Sequence, residues 1–292
     1  MPSTSQILML RRLLASAEQR TCQHQVNRRP VALVANSQTA PRWQTGVAAI
    51  DAALPSTGLE AQALHEISGL AHADRAAATG YAAALLRQLL HVTDRAEPGT
   101  VLWCQNAETR HEFGPVHGHG LRSFGLDQER FLFVAAGRDR DVLWALEEGA
   151  RCPDLAAVIG EVSALSFTAT RRLSLAAAAG GTPVLLLRSE RDLPLSAART
   201  RWRVAARPGQ ADAFGLRLPE NPRWHLELMR CRGGRPGTWT VEWDYETYRF
   251  RMAARVTSRP SQTTSSQTRL PEAELPSAEP IALPLQRRAA VG

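Results

Sequence analysis

The chain has 292 residues, 44% of them apolar, which is enough for one large α/β domain or two small ones with a full core. All 35 basic residues are arginine, because no lysine occurs anywhere; the formal charge of +7 points to a polyanionic or acidic partner, and any chemistry that needs a lysine amine is excluded. No apolar run is long enough to span a bilayer and the first residues lack the apolar core of a secretion signal, so a cytoplasmic location is expected. The four cysteines, Cys22, Cys104, Cys152 and Cys231, form no CxxC pair and read as reduced thiols, two of them in strands.

Ser5 to Gln19 place Ile7, Leu10, Leu13 and Leu14 on one helical face, the pattern of an amphipathic helix that either associates with another chain or packs back on its own domain. Thr21 to Pro41 reads as a linker, so residues 1–41 form an N-terminal extension. From Gly46 the pattern alternates short β-type runs with Ala- and Leu-rich helical stretches, which predicts an α/β domain with a mainly parallel sheet flanked by helices. Strands are expected at Ala63–Ile67, Val101–Gln105, Phe131–Val134, Ala157–Val162 and Pro183–Leu187. Helices are expected at Asp74–His91, Glu112–Phe124, Asp139–Arg151 and Thr168–Ala179. In the third of these, Trp144 with Leu143 and Leu146 reads as the face packed on the sheet. Arg201–Ala205, Trp224–Cys231, Trp239–Trp243 and Tyr248–Met252 follow with Gly- and Pro-rich connections, which predicts antiparallel strands completing the sheet and a domain over residues 42–254. Residues 255–292 turn to Ser, Thr, Gln, Pro and Glu and read as a disordered tail, with one apolar island at Ile281–Leu285.

Trp43-Gln44-Thr45-Gly46, Ile50-Asp51, Leu54, Gly58-Leu59-Glu60 and Leu64-His65-Glu66-Ile67-Ser68-Gly69 are together similar to the entry segment of RecA-like proteins. A phosphate loop of the form GxxxxGK[ST] is expected next, because clustered backbone N–H groups cradle phosphates while lysine balances their charge. Here the stretch is Gly69-Leu70-Ala71-His72-Ala73-Asp74-Arg75-Ala76-Ala77, without the second glycine, the lysine or the hydroxyl. Gly69, His72, Asp74 and Arg75 therefore mark a degenerate phosphate-loop position. Asp74 puts a negative charge where phosphate oxygens would lie, partly offset by Arg75, and suits a helix cap better than a nucleotide. The resemblance also implies a metal-organising Asp at the end of the strand Leu155–Val162, where this chain carries Gly160-Glu161. Glu108 keeps a carboxylate near the position of a catalytic glutamate. His111, His117 and His119 match no zinc-ligand spacing and read as a solvated loop, so neither a metal nor another cofactor is expected.

Gly125 to Phe131, Leu143-Trp144-Ala145-Leu146-Glu147-Glu148-Gly149, Thr170 to Ala176, Thr200 to Val204 and Arg223 to Gly237, in that order, narrow the resemblance to the ImuA family. It covers about residues 43–244. What it implies is a role without catalysis in DNA-damage-induced (SOS) mutagenic translesion synthesis. The partners would be an ImuB-like protein related to Y-family polymerases and an error-prone replicative-type DNA polymerase, with RecA or DNA as further contacts. The alternatives are an atypical RecA-like ATPase and a simple basic DNA-binding module. Candidate partner or DNA contacts are Arg171 and Arg172; Arg201, Trp202 and Arg203, which combine guanidinium groups with a stacking ring; and Arg230, Arg232 and Arg235. Alternation along a strand would put Arg230 and Arg232 on one face.

Overall fold

The computed structural model describes residues 42–92, 99–188, 195–209 and 221–253. The expected association helix (Ile7, Leu10, Leu13, Leu14), its linker and the C-terminal tail lie outside the described residues.

A short antiparallel pair, β1 (Arg42–Trp43) with β2 (Leu59–Glu60), brackets α1 (Ala48–Asp51). The Asp51 carboxylate folds back on the preceding turn, where it accepts from Thr45 N at 2.8 Å, Thr45 Oγ1 at 2.9 Å and Gly46 N at 3.1 Å. The Thr-Gly and Asp of the entry segment are therefore one hydrogen-bonded unit, and it satisfies backbone donors that burial would otherwise leave unpaired. Next come β3 (Leu64–Gly69), α2 (Arg75–Val92), β4 (Thr100–Asn106), α3 (Ala107–Phe113), α4 (Gly118–Ser123), β5 (Phe131–Ala136), α5 (Asp139–Ala150), β6 (Leu155–Val162), α6 (Phe167–Gly180) and β7 (Val184–Arg188). The chain then runs through β8 (Thr200–Arg207), β9 (Arg223–Cys231), β10 (Gly237–Asp244) and β11 (Arg249–Met252).

Nine strands form one sheet in the order β11-β10-β9-β8-β3-β7-β6-β4-β5. From β8 to β5 every pair is parallel, whereas β8/β9, β9/β10 and β10/β11 are antiparallel. This is the expected α/β class. In the parallel part every residue of β6 and β7 is buried, as a strand covered on both faces requires. On one face α2 packs on β3, β7 and β8, and Tyr81 meets Trp202, Trp224 and Phe250. On the other face α5 and α6 cover β4, β6 and β7 through Val142, Leu146 and Leu173. Among the described residues no helix is long and apolar enough to cross a membrane.

Two expectations need correction. The single helix Glu112–Phe124 is two short helices, because Gly114 adopts φ +81° and Pro115 follows it, so the helical path breaks there. Trp144 is only partly buried, at the edge of the core that α5 and α6 form on the sheet. Val142, Ala145 and Leu146 take the buried face of α5, and Trp144 lies on its flank.

Candidate functional site

The loop after β3 is closed on itself. Its backbone turns so tightly that a Cβ on Gly69 would lie 2.7 Å from Ala71 O. A short 3-10 turn, His72–Asp74, leads into α2. Asp74 sits at the place of the second loop glycine, and both its carboxylate oxygens are occupied: Oδ2 accepts from Ala71 N at 3.0 Å and Oδ1 from Ala206 N at 2.8 Å. Leu70 N donates to Val204 O at 2.8 Å, which ties the loop to β8. An N–H that points at Asp74 is not available to a phosphate. His72, exposed, pairs with Glu112 at 3.2 Å.

Arg75 occupies the place of the phosphate-loop lysine and is turned inward. Its Nη2 lies 2.7 Å from Glu161 Oε2, and Glu161 Oε1 accepts from Trp103 Nε1 at 2.7 Å. All three side chains are buried. Phe113 closes the outer side, with the Arg75 guanidinium 5.8 Å from its ring centroid. The two degenerate positions of the sequence are thus one buried ion pair, carboxylate on β6 and guanidinium on α2. Gly160 beside it has a packing reason: a Cβ there would overlap Leu146 of α5, so no side-chain acid fits at that position. Burial first, then the Glu161 and Asp141 carboxylates, push the Cys104 thiol up to about 12, so it stays protonated and unreactive.

The remaining carboxylates at the strand ends are also engaged. Asn106 caps α3 by accepting from Thr109 N at 2.7 Å and donates to Asp139. Asp139 accepts from Ser163 N and Ala164 N, and Ser163 Oγ donates to Glu108 at 3.0 Å. His117 and His119 stack on each other, while His111 lies in α3. Among the described residues no group of three or more His, Cys, Asp or Glu side chains is placed to hold a metal ion.

The structure divides the basic candidates. Trp202 is 1% exposed and packs on Tyr81 and Trp239, so it offers no stacking face. Arg201 is drawn in by Glu66 on β3, with Nε 3.0 Å from Oε2. The same carboxylate takes Arg188 Nη1 at 3.2 Å and a hydrogen bond from Ser196, a buried cluster that the sequence does not reveal because its members are up to 135 residues apart in numbering. Burial first lowers the Arg201 pKa; Glu66 opposes this, and Arg188 and Arg230 add to it. Arg203 is half-exposed. Arg230 is bound by its Nη1 to Ser196 O at 2.9 Å. The strand ends at Cys231, so Arg232 belongs to the turn made by Gly233 (φ +76°) and does not share a strand face with Arg230. Arg171, Arg232 and Arg235 are exposed, and Arg172, also exposed, bridges to Glu147 at 2.6 Å.

His65, buried beside this region, is held between Thr200 Oγ1 at 2.7 Å and Glu60 O at 2.9 Å. A carbonyl only accepts, so Nε2 carries the hydrogen and Nδ1 accepts from Thr200, whose Oγ1 accepts in turn from Trp202 Nε1 at 3.0 Å. Burial chiefly, with Arg199 as a smaller contributor and the Glu60 hydrogen bond opposing, lowers its pKa from 6.5 to about 4. The unfolded chain therefore takes up this proton first as pH falls. Stability is full above the unfolded value and is lost between pH 6.5 and 4, by about 3 kcal/mol in all. Urea unfolding at stepped pH is expected to show this slope, and His65→Gln is expected to flatten it. An equal slope in both proteins would assign it to other groups.

No family model matches the chain. Two curated relatives, each named Protein ImuA, come from two strains of Caulobacter vibrioides. Each is 35% identical to this chain over 215 residues, which covers 69% of the chain and 83% of the relative. Identity at that level, over most of both sequences, places this chain in the ImuA family.

Proposed function

We propose that the chain is a non-catalytic adaptor of DNA-damage-induced mutagenic translesion synthesis in the cytoplasm. In this reading it joins an ImuB-like protein to an error-prone replicative-type DNA polymerase, with RecA or DNA as additional contacts. The observation that carries the non-catalytic part is the Arg75–Glu161 pair with its Trp103 hydrogen bond. Phosphoryl transfer needs a cation on the phosphates, a carboxylate organising Mg²⁺ and free backbone N–H groups. Here the cation and the carboxylate neutralise each other, Asp74 takes the Ala71 N–H of the loop, and the Leu70 N–H is taken by Val204 O of β8. Membership of the ImuA family supports the assignment to mutagenesis.

The exposed arginines Arg171, Arg232 and Arg235, rather than Arg201 or Trp202, are the side chains such a partner would meet. The test is co-purification of the full chain with the ImuB-like protein of the same organism, beside versions lacking residues 1–40 or 255–292. A stable complex without nucleotide is the expected result. Within it, Arg232→Ala/Arg235→Ala is expected to weaken binding roughly tenfold, about 1.4 kcal/mol. Absence of a complex together with saturable ATP binding by calorimetry would overturn the proposal in favour of an ATPase. Binding to DNA alone, collapsing steeply with salt, would favour a DNA-binding module.

A further inference from the structure

Between α5 and α6, on the side of the sheet away from α2, lies an open recess of about 620 Å³. Leu143, Trp144, Leu165 and Leu173 line it, with Asp139, Arg140, Glu147 and Arg172 as its charged lining residues. A partly exposed tryptophan in an apolar recess has the character of a docking site, since such rings anchor partners by the area they bury.

The chain itself carries a segment with matching chemistry. Ile7, Leu10, Leu13, Leu14 and Ala17 make an apolar face by helical periodicity, and a face of this kind needs an apolar surface to lie on. Arg11 and Glu18 border that face and are seven residues apart, the same spacing as Arg140 and Glu147 on α5, roughly 10 Å along a helix. Laid antiparallel to α5, the segment sets Glu18 against Arg140 and Arg11 beside Glu147. Glu147 is bridged by Arg151 and Arg172, and Arg140 lies 3.8 Å from Asp141 with its side chain 58% exposed, so the Glu18–Arg140 pair, at the more accessible end, is the one that sets direction. Residues 20–41 join the segment to β1 and reach ~73 Å when extended, against a radius of gyration of ~17 Å for a domain of this size. Tethering at that length gives a local concentration on the order of millimolar, which favours the chain's own segment over a second copy.

We propose that Ser5–Gln19 of the same chain docks in the α5–α6 groove, antiparallel to α5, with its leucines on Trp144. This goes beyond the adaptor reading and stands whether or not an ImuB-like protein binds. The full chain labelled with 5-fluorotryptophan tests it by ¹⁹F NMR with a water-soluble paramagnetic probe, the Trp144 line being assigned through Trp144→Phe. Trp144 broadening is expected to rise at least threefold in Leu10→Glu/Leu13→Glu, with the other tryptophan lines unchanged, and protection in the parent chain is expected to be independent of protein concentration. Glu18→Arg is expected to reduce protection, and Arg140→Glu in the same chain to restore it. Equal broadening in the parent and the double variant overturns the proposal. Protection that disappears on dilution also overturns it, since the occupant is then a second copy, and a failed charge-reversal rescue overturns the antiparallel orientation.

Discussion

Glu161→Ala is expected to lower the free energy of unfolding by about 3–5 kcal/mol, the cost of leaving one member of a buried ion pair without its partner. The loss has two parts. Arg75 keeps its charge at 7% exposure with no counter-ion, and the Trp103 Nε1 donor, wholly buried, loses its acceptor. Removing the pair as a unit has a different sign, because apolar groups of similar size avoid desolvating either charge. Arg75→Met/Glu161→Leu is therefore expected to recover more than half of the loss in urea titrations. A single variant that costs less than about 1 kcal/mol would mean that solvent reaches Arg75. The experiment also bears on function, because it separates a pair kept for structure from one poised for nucleotide: the double variant is expected to retain the fold and to bind ATP no better than the parent chain.

Glu66→Ala is expected to cost about as much, ~3–5 kcal/mol, for a related reason. Glu66 alone among the described side chains pairs with both Arg188, 3% exposed, and Arg201. Without it two guanidinium groups face each other in a low-dielectric interior, with Arg230 opposite Arg201 in the strand register. Glu66→Gln keeps an acceptor for Ser196 and is expected to fall between the parent and the alanine variant. Salt distinguishes this cluster from a surface ion pair. At 1 M salt the Debye length is about 3 Å, yet buried charges are little screened, so the deficit of Glu66→Ala is expected to persist between 0.1 and 1 M NaCl. A deficit that disappears at high salt would show that the cluster is open to solvent.

Much of the architecture was legible in the sequence, and the reason is local. Residue runs such as Val184-Leu185-Leu186-Leu187 and the Ala-rich stretch of α2 report their element through period and composition, and strands alternating with helices require a parallel sheet. The absence of lysine and the Asp at position 74 were equally plain, and with them the loss of the phosphate-loop pattern. Failures of sequence reading occurred where a side chain's fate depends on a distant element. Trp202 and Arg201 look alike as candidates for a basic aromatic surface, yet α2 covers one face of β8 and Glu66 on β3 captures the other. Trp144 has the spacing of a core residue, but small and branched neighbours on the same helix already fill the contact with β6. That Arg75 and Glu161 meet, 86 residues apart, follows from β3 and β6 lying on either side of β7, which brings the start of α2 over the end of β6. Sequence by itself determined the element order, the class of sheet and the missing phosphate-loop groups, because these depend on local propensity and residue identity. Only the tertiary structure decided which charges are buried against each other, because burial and pairing are set by elements that the sheet order, not the chain order, makes neighbours.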